Sequence, residues 1–396
     1  MSPAWRVGTA GVAAIGVGFG LARYGYGLFL PGIQREFGLS LVVVGWIGSA
    51  TYLAYLCALV AVGTLANVVG SRALVVSGGL AATAGMATVA LAAEPVALVA
   101  GLVLAGTSPA LVWSPYSDAV DRVVPPERRE TVLALLPTGT AFGVVVAGLM
   151  AMGARGEQWR SAWLVFAVIA LLVTAYNFVA VPAGRGGKRR AERGIRGFLA
   201  PRAARLHLTA FSYGVVGAVY WSFAVVAVSS AARAAYDIAP VFWSLTGVSG
   251  IGGLFAGTVL RRCGLRAGHA LIFGALACAA GLLGLAPGSW VAVCASALLY
   301  GAAFMAGSGL LAVWSYQIFP ERPTAGLSAA LVSLGLGTVC GPAALGVLAA
   351  DHGLDAAFSV TAAIAALTLL VRPRRHRPRV LTNVAGERTV PPTVRK

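Results

Sequence analysis

The sequence predicts an all-α membrane protein with twelve transmembrane helices in two sets of six. Three observations lead to this fold class. Of the 396 residues, 58% are hydrophobic and only 11% are charged, whereas soluble domains carry about 25% charged residues. The apolar residues form twelve runs of spanning length. A basic segment at residues 183–205 separates the first six runs from the last six.

Each run meets the length requirement of a membrane span, which is about 20 mostly apolar residues. The first run could be mistaken for a signal peptide, but it continues through Arg23 and the aromatic-rich stretch Tyr24–Pro31. The uncharged stretch 270–320 is divided by the turn Pro287-Gly288-Ser289. The predicted spans are 8–31, 42–66, 73–93, 96–118, 131–153, 161–182, 206–231, 239–260, 269–286, 289–315, 324–349 and 354–371.

The distribution of Lys and Arg predicts the orientation, because cytoplasmic loops are enriched in them. With the N-terminus inside, most of the 30 basic residues fall in cytoplasmic segments. We therefore expect a multi-pass protein of the cytoplasmic (inner) membrane with both termini in the cytoplasm.

The predicted domains are a first bundle at 1–182, a basic linker at 183–205, a second bundle at 206–371 and a disordered basic tail at 372–396. The net charge of +17 is explained by these loops, so nucleic acid is not an expected partner.

An internal repeat supports the division into halves. The loop after the second span contains Gly63, Thr64, Gly70 and Arg72, and the loop after the eighth span repeats these residue types 194 positions later. Pro126-Glu127-Arg128 recurs as Pro320-Glu321-Arg322, and Gly143 recurs as Gly337, at the same offset. Several separated matches at one offset indicate two homologous six-helix halves.

The six-plus-six layout, the basic central loop and the G-x-L-A-x-x-x-G-x-R loop at Gly63–Arg72 resemble the major facilitator superfamily. The stretch Gly18–Pro31 also resembles the first helix of a poorly characterised bacterial subgroup. The resemblance implies two six-helix bundles around a central substrate cavity lined by spans 1, 4, 7 and 10. It further implies alternating access to that cavity and a monomeric protein.

The resemblance also implies a cytoplasmic gate at the loop between the second and third spans. Its small residues would allow close helix approach, and Arg72 would pair with Asp118 or Asp121. The usual loop aspartate of the family is an asparagine here, which removes the charge-assisted part of that contact. The predicted gate residues are Gly63, Asn67, Gly70, Arg72, Asp118 and Asp121.

Arg23 is the basic residue that falls well inside a predicted span, and burying a charge in a span costs at least about 2.5–3.5 kcal/mol. Its guanidinium could hold a carboxylate or phosphate, or it could extend to the outer interface. Glycines at 16, 20 and 27 share its face and leave room for a ligand or for an adjacent helix. Aromatic residues of five spans complete the predicted substrate site. The predicted substrate-binding residues are Arg23, Tyr24, Tyr52, Tyr55, Trp113, Tyr116, Tyr220, Trp221 and Trp314.

The glycine pairs Gly139/Gly143 and Gly337/Gly341 favour close helix packing. The thirteen Asp and Glu residues all fall in loops, in the tail or at span ends. Proton coupling normally uses a titrating group inside the membrane. Coupling through a carboxylate at a span end, a proton carried by the substrate and uncoupled transport therefore all stay open.

The sequence predicts a secondary active transporter for a small organic molecule, with efflux favoured because the cavity residues are apolar and aromatic. The alternatives are an uptake permease for a small organic anion and a non-transporting sensor with the same fold. No enzymatic motif lies within the spans, and the five scattered cysteines do not suggest a metal site or disulfides. We therefore expect no enzyme activity, no cofactor and no metal, with a small-molecule substrate and the lipid bilayer as partners.

Overall fold

The computed structural model describes residues 3–153, 158–184, 201, 203–231, 238–319 and 323–373. Most of the predicted linker 183–205, and the predicted tail from residue 374 onward, lie outside the described residues. The described residues are almost entirely helical and include no β-strand. The predicted all-α membrane fold is therefore confirmed.

Thirteen α-helices are assigned within the described residues. Breaks divide some spans into two helices, whereas α11 and α13 each continue through a non-helical glycine into the next span. The first half contains α1 to α8: Pro3–Ile15, Gly25–Phe37, Leu41–Val69, Ser71–Leu91, Pro95–Val123, Pro126–Leu135, Thr138–Gly153 and Trp159–Ala180. The second half contains α9 to α13: Ala204–Ala231, Ala239–Ile251, Ala256–Leu285, Trp290–Ile318 and Pro323–Thr368. A π-helical segment, Gly16–Arg23, joins α1 to α2, and a 3₁₀ turn, Gly252–Phe255, joins α10 to α11.

These helices are consistent with twelve membrane crossings. Ten helical stretches within the described chain are long and apolar enough to span a bilayer, and the shorter α10 is also apolar. The longest stretch, Gly326–Thr368, has 43 residues and would be about 65 Å long if straight, which is twice the thickness of the hydrocarbon core. It reverses at Gly353, whose φ of 87° is outside the helical range, so α13 supplies two crossings.

Two glycines adopt the same non-helical conformation at equivalent places in the two halves. Gly70, between α3 and α4, has φ 89° and ψ 157°. Gly264, which divides α11, has φ 79° and ψ 162°. Positive φ favours glycine over residues with a side chain. The predicted repeat is therefore visible in the backbone as well as in the sequence.

The predicted close packing at the two glycine pairs is confirmed. A Cβ atom added at Gly143 would overlap the backbone of Gly16 and Gly20, so the first and fifth spans touch through their main chains. A Cβ atom at Gly337 would overlap the carbonyl oxygen of Phe211, so the seventh and eleventh spans make the equivalent contact. Gly16 and Gly20 therefore make room for an adjacent helix, not for a ligand.

The two bundles meet along one end of the molecule. We call the end with the turn at Gly38 the Gly38 end, and the opposite end, with the turn at Gly70, the Gly70 end. An added Cβ at Gly27 would overlap the carbonyl oxygen of Trp221 in α9, and one at Gly45 in α3 would overlap that of Pro342 in α13. The backbone nitrogen of Ala343 donates to Ser49 Oγ at 3.0 Å. These contacts seal the bundles against each other toward the Gly38 end.

The Gly70 end is more open at the one place where the family resemblance implies a close approach. No heavy atom of the described residues lies within 4 Å of a Cβ added at Gly63 in α3. Near the middle of the spans, Leu56 of α3 contacts Gly335 and Ala141 of α7 contacts Gly250 across the interface between the bundles.

Candidate functional site

The π-helical segment of the first span positions the candidate site. Gly16–Arg23 is under-wound relative to an α-helix, and π-helical turns inside α-helices are frequent at functional sites. The segment ends at Arg23, with Phe19 one turn earlier. Three glycines in the segment let neighbouring helices approach its other faces, so Phe19 and Arg23 are held against α3 and α5.

The guanidinium group of Arg23 lies among aromatic rings. Its Cζ is 4.1 Å from the centroid of the Tyr55 ring, 4.6 Å from that of Tyr52 and 5.6 Å from that of Phe19. These distances are within the range of cation–π attraction. The two ion pairs found among the described residues are Arg129–Asp121 and Arg160–Glu36. Arg23 is therefore held by ring faces and forms no salt bridge with a described carboxylate.

A continuous aromatic cluster extends from Arg23 into the second bundle. The Phe19 ring packs edge-on against Trp113 of α5, with centroids 5.8 Å apart. Tyr24 stacks on Trp221 of α9 at 4.1 Å and meets Phe304 of α12 at 6.3 Å. These contacts join spans 1, 4, 7 and 10, which are the spans that the family resemblance assigns to the cavity.

Several polar atoms of this region are buried without a hydrogen-bond partner. They include Arg23 Nε, Trp221 Nε1 and Trp243 Nε1. Buried polar groups are normally hydrogen-bonded, and an exception calls for a bound water, an ion or a functional role. All three are donors, so an acceptor-rich group would satisfy them. The site can thus bind an anion through Arg23 and a flat or apolar body through the rings.

The structure brings together six of the nine predicted substrate-binding residues. Arg23, Tyr24, Tyr52 and Tyr55 surround the guanidinium or continue from it, and Trp113 and Trp221 extend the cluster on either side. Trp113 is 39% exposed, so part of its ring is free to contact a ligand. Whether these residues bind a substrate stays a prediction.

The other three predicted residues make their described contacts within their own bundles, and their role in substrate binding stays a prediction. Tyr116 is fully buried in the first bundle, and its hydroxyl donates to Asn177 Oδ1 of α8. Tyr220 stacks on Tyr300 and hydrogen-bonds Ser296, within the second bundle. Trp314 is buried against His269 of α11. An apolar helix in a bundle presents aromatic residues to its own neighbours as well as to a cavity, and spacing alone does not distinguish the two faces.

The structure also adds residues that the sequence reasoning did not select. Phe19 contacts Arg23, Tyr24, Tyr55 and Trp113, which places it at the centre of the first-bundle part of the cluster. Phe304 contacts Tyr24 and Trp221 from the second bundle. Phe19 could have been identified from the sequence, because it lies four residues before Arg23 and residues four apart share a helix face. Nothing in the local sequence distinguishes Phe304 from other apolar residues of its span.

The predicted gate contacts are not formed in this structure. Arg72 Nε donates to the carbonyl oxygen of Val181 at 2.6 Å, and Asp121 pairs with Arg129. Arg122, a residue not included in the predicted gate, bonds Ser71 Oγ at 3.1 Å and the carbonyl oxygen of Gly184. The predicted close approach at Gly63 is not formed in this conformation, since no described heavy atom lies near its Cβ direction.

The other predicted gate residues have separate outcomes. Gly70 forms the turn before α4 through its positive φ, and Asp118 lies half-buried near the end of α5. The side chain of Asn67 lies outside the described part of the structure. The gate stays a prediction for a different conformation, one in which the Gly70 ends of the bundles approach each other.

Comparison with known families identifies the chain. Residues 15–372 match the MFS_4 family, which is described as "Uncharacterised MFS-type transporter YbfB". The chain belongs to this family. The match covers both halves, so the MFS transporter resemblance inferred from the repeat and the loop motif is confirmed.

Individual relatives and solved structures agree with this assignment. The MFS transporter is 30% identical over 166 residues to the "Probable actinorhodin transporter" of Streptomyces coelicolor (40% of this chain, 28% of the relative). It is 32% identical over 181 residues to human monocarboxylate transporter 11 (45% and 38%). The matched region spans less than two fifths of the length of either relative.

Two solved structures share the fold. The nucleoside transporter NupG has a TM-score of 0.75 at 12% identity, covering 93% of this chain and 98% of that one. A bacterial homologue of the human lysosomal transporter Spinster, solved in an inward-facing and occupied conformation, has a TM-score of 0.73 at 15% identity. That match covers 92% of this chain and 95% of the other. At these identities the likeness supports the fold alone.

Proposed function

We propose that the protein is a secondary active transporter for small organic anions with an aromatic or apolar body, and that it exports them from the cytoplasm. The observation that carries this proposal is the arginine of the π-helical segment, which is surrounded by rings at the junction of four spans. A cation within a span is costly. A bound anion would offset that cost, and the rings would stack on the remainder of the substrate.

The shape of the molecule supports alternating access. The two bundles are sealed together toward the Gly38 end, by Gly27 against Trp221 and by Ser49 against Ala343. The predicted orientation places the Gly70 end in the cytoplasm. Under that orientation the structure corresponds to a state in which the candidate site is reached from the cytoplasm, and substrate would leave after the Gly38 end opens.

The names of the relatives support the substrate class and the direction. One relative is named for transport of actinorhodin and another for transport of monocarboxylates, and a third is named the multidrug resistance protein MdtH of Shigella boydii. An arginine suits a carboxylate because its planar guanidinium can donate two parallel hydrogen bonds. We propose a monomer in the cytoplasmic membrane as the working unit.

The test is binding and transport by purified protein with matched arginine variants. Aromatic carboxylates and their neutral amides are titrated into the wild type, into Arg23→Gln and into Arg35→Gln, and Kd is measured by calorimetry. Arg35 lies on the same span and is exposed, and its Nε donates to the carbonyl oxygen of Pro31 in its own helix. Arg35→Gln is therefore the control for the loss of one positive charge. We expect carboxylates to bind the wild type and Arg35→Gln at least about tenfold more tightly than Arg23→Gln, which corresponds to 1.4 kcal/mol. Equal carboxylate affinity in all three proteins would refute the role of Arg23.

Uptake of the anion is the second candidate, because the monocarboxylate relative and the same arginine are compatible with either direction. Flux into proteoliposomes of known orientation distinguishes the two. Export predicts that accumulation requires the Gly70 end to face the substrate-containing compartment and an opposing ion gradient. Comparing a proton gradient with a sodium gradient of the same size identifies the coupling ion.

A further inference from the structure

A cavity lies on the opposite side of the first span from the arginine site. It has a volume of about 810 Å³ and runs between α1, the π-helical segment, α6, α7 and α8. Its walls include Trp5 and Arg128 at the Gly70 end and Leu21 and Val146 near the middle of the membrane. The cavity shares no residue with the aromatic cluster, so it is a separate site.

The cavity has the dimensions of a groove for a lipid chain. It follows the first span from Ala4 to Leu21, a distance of about 25 Å at 1.5 Å per residue. That length exceeds the roughly 15 Å occupied by half of the hydrocarbon core. Apolar side chains on its rim are strongly exposed, including Leu135 at 42% and Phe142 at 50%. The groove therefore opens toward the lipid and not toward the interface between the bundles.

A break in the fifth span creates the groove. α6 ends at Leu135 and α7 begins at Thr138, with Pro137 between them. Proline lacks the N–H that would continue an α-helix. Beyond the break, α7 packs closely on the first span through Gly139 and Gly143, whereas α6 leaves space beside α1. α7 and α8 also meet only weakly, so the groove is not closed from the lipid side.

The charge at the mouth of the groove specifies the occupant. Among the described residues that line the cavity, Arg128 is the charged one and none is acidic. Arg128 is exposed at the start of α6, at the Gly70 end, where the exposed Trp5 also lies. Trp residues are enriched at the level of lipid headgroups, and a cation there attracts anionic lipid. An apolar groove with a cation at its headgroup-level end is complementary to an acyl chain joined to a phosphate.

We propose that this groove binds one anionic phospholipid, with an acyl chain against the groove-lining face of α1 and the headgroup phosphate on Arg128. This proposal does not depend on the identity of the transported substrate. A bound acyl chain would fill the space between the first and fifth spans, which must move as a unit if the first bundle rocks. Anionic lipid would therefore stabilise the folded protein against unfolding, in addition to solubilising it.

The test compares two lipids on purified full-length protein. Phosphatidylglycerol and phosphatidylcholine with the same acyl chains are titrated into detergent-solubilised protein, and the unfolding temperature is measured. We expect phosphatidylglycerol to raise the unfolding temperature of the wild type by several degrees more than phosphatidylcholine does. Arg128→Gln should abolish this difference, and Arg262→Gln, an exposed arginine in the second bundle, should leave it unchanged.

Filling the groove tests the acyl-chain part of the proposal. Ala13 lines the groove, so Ala13→Phe should remove stabilisation by both lipids, whereas Ala84→Phe on the exposed face of α4 should not. Leu135→Trp fills the same groove from the opposite wall and replaces Ala13→Phe if that variant is not recovered as a monodisperse protein. A photoactivatable phosphatidylglycerol should label peptides from α1 or α7 in the wild type and not in the filled variant. Equal stabilisation by both lipids in the wild type, or unchanged labelling after filling, would overturn the proposal.

Discussion

At the scale of single residues, the arginine of the first span is held by geometry that a lysine cannot reproduce. The guanidinium is planar and can stack on Tyr52 and Tyr55 while its edge donates hydrogen bonds. An ammonium group is compact and strongly hydrated, so it gains less from ring faces in a water-poor site. The charge and its orientation therefore contribute separately to the candidate site.

Arg23→Lys separates these two contributions. The variant keeps the positive charge but loses the flat contact with the rings, and a cation–π contact contributes about 0.5–2 kcal/mol. We expect the Kd for an aromatic carboxylate to rise about fivefold, which is less than for Arg23→Gln. Calorimetric titration of the three proteins checks the order. A lysine variant weaker than the glutamine variant would contradict it.

Tyr116, the other predicted substrate-binding residue of α5, offers a matched contrast with Trp113. Tyr116→Phe removes the hydroxyl that donates to Asn177 in a fully buried position. Leaving a buried acceptor unsatisfied costs about 1–3 kcal/mol of stability. We expect a lower unfolding temperature with unchanged substrate Kd.

Trp113→Ala should show the opposite pattern. The Trp113 side chain is 39% exposed and contacts Phe19 beside the guanidinium, so its loss should weaken substrate binding more than it lowers stability. Measuring the unfolding temperature and the Kd for both variants distinguishes packing from ligand contact. If Tyr116→Phe alters the Kd and Trp113→Ala does not, the assignment of the two faces of α5 is wrong.

At the scale of helices, the contact between the first and fifth spans depends on glycine. A Cβ at Gly143 would overlap the backbone of Gly16 and Gly20, and a backbone cannot move aside as a side chain can. Overpacking typically costs about 1–3 kcal/mol. We expect Gly143→Ala to lower the unfolding temperature and to reduce transport.

Gly63→Ala is the control for that substitution. It adds the same methyl group to a helical position that has no heavy atom within 4 Å in this conformation. Its unfolding temperature should equal or exceed that of the wild type, because alanine favours the helix. Equal loss of stability in both variants would mean that the backbone contact at Gly143 is unimportant.

The helices show which features the sequence could predict. Apolar run length predicted the spans because bilayer thickness imposes that length directly. The offset of 194 residues predicted the equivalence of Gly70 and Gly264, which share one backbone conformation. The π-helical segment was not predicted, because no residue pattern distinguishes it from an α-helix in a glycine-rich run. The orientation of Tyr116 and Tyr220 was also not predictable, since it depends on how spans are arranged around each other.

At the scale of the whole molecule, the interface between the bundles at the Gly38 end must open if access to the candidate site alternates between the two sides of a membrane. The Ser49 side chain and the Ala343 backbone lie 3.0 Å apart across that interface. In a variant whose five native cysteines are replaced, Ser49→Cys and Ala343→Cys should form a disulfide on mild oxidation. We expect oxidation to stop transport and reduction to restore it, while each single cysteine variant transports in both conditions. Full transport by the cross-linked protein would contradict alternating access through this interface.

The under-wound segment Gly16–Arg23 has a consequence for how the first span tolerates length changes. In an α-helix each residue advances the face by 100°, so a π-helical turn offsets the azimuth of α1 from that of α2. Removing one residue there would restore an unbroken α-helix. It would also turn either the groove-lining residues of α1 or the ring-bound arginine away from their present positions. The segment therefore sets the rotation of α1 relative to α2, so that one span faces the groove on one side and the aromatic cluster on the other.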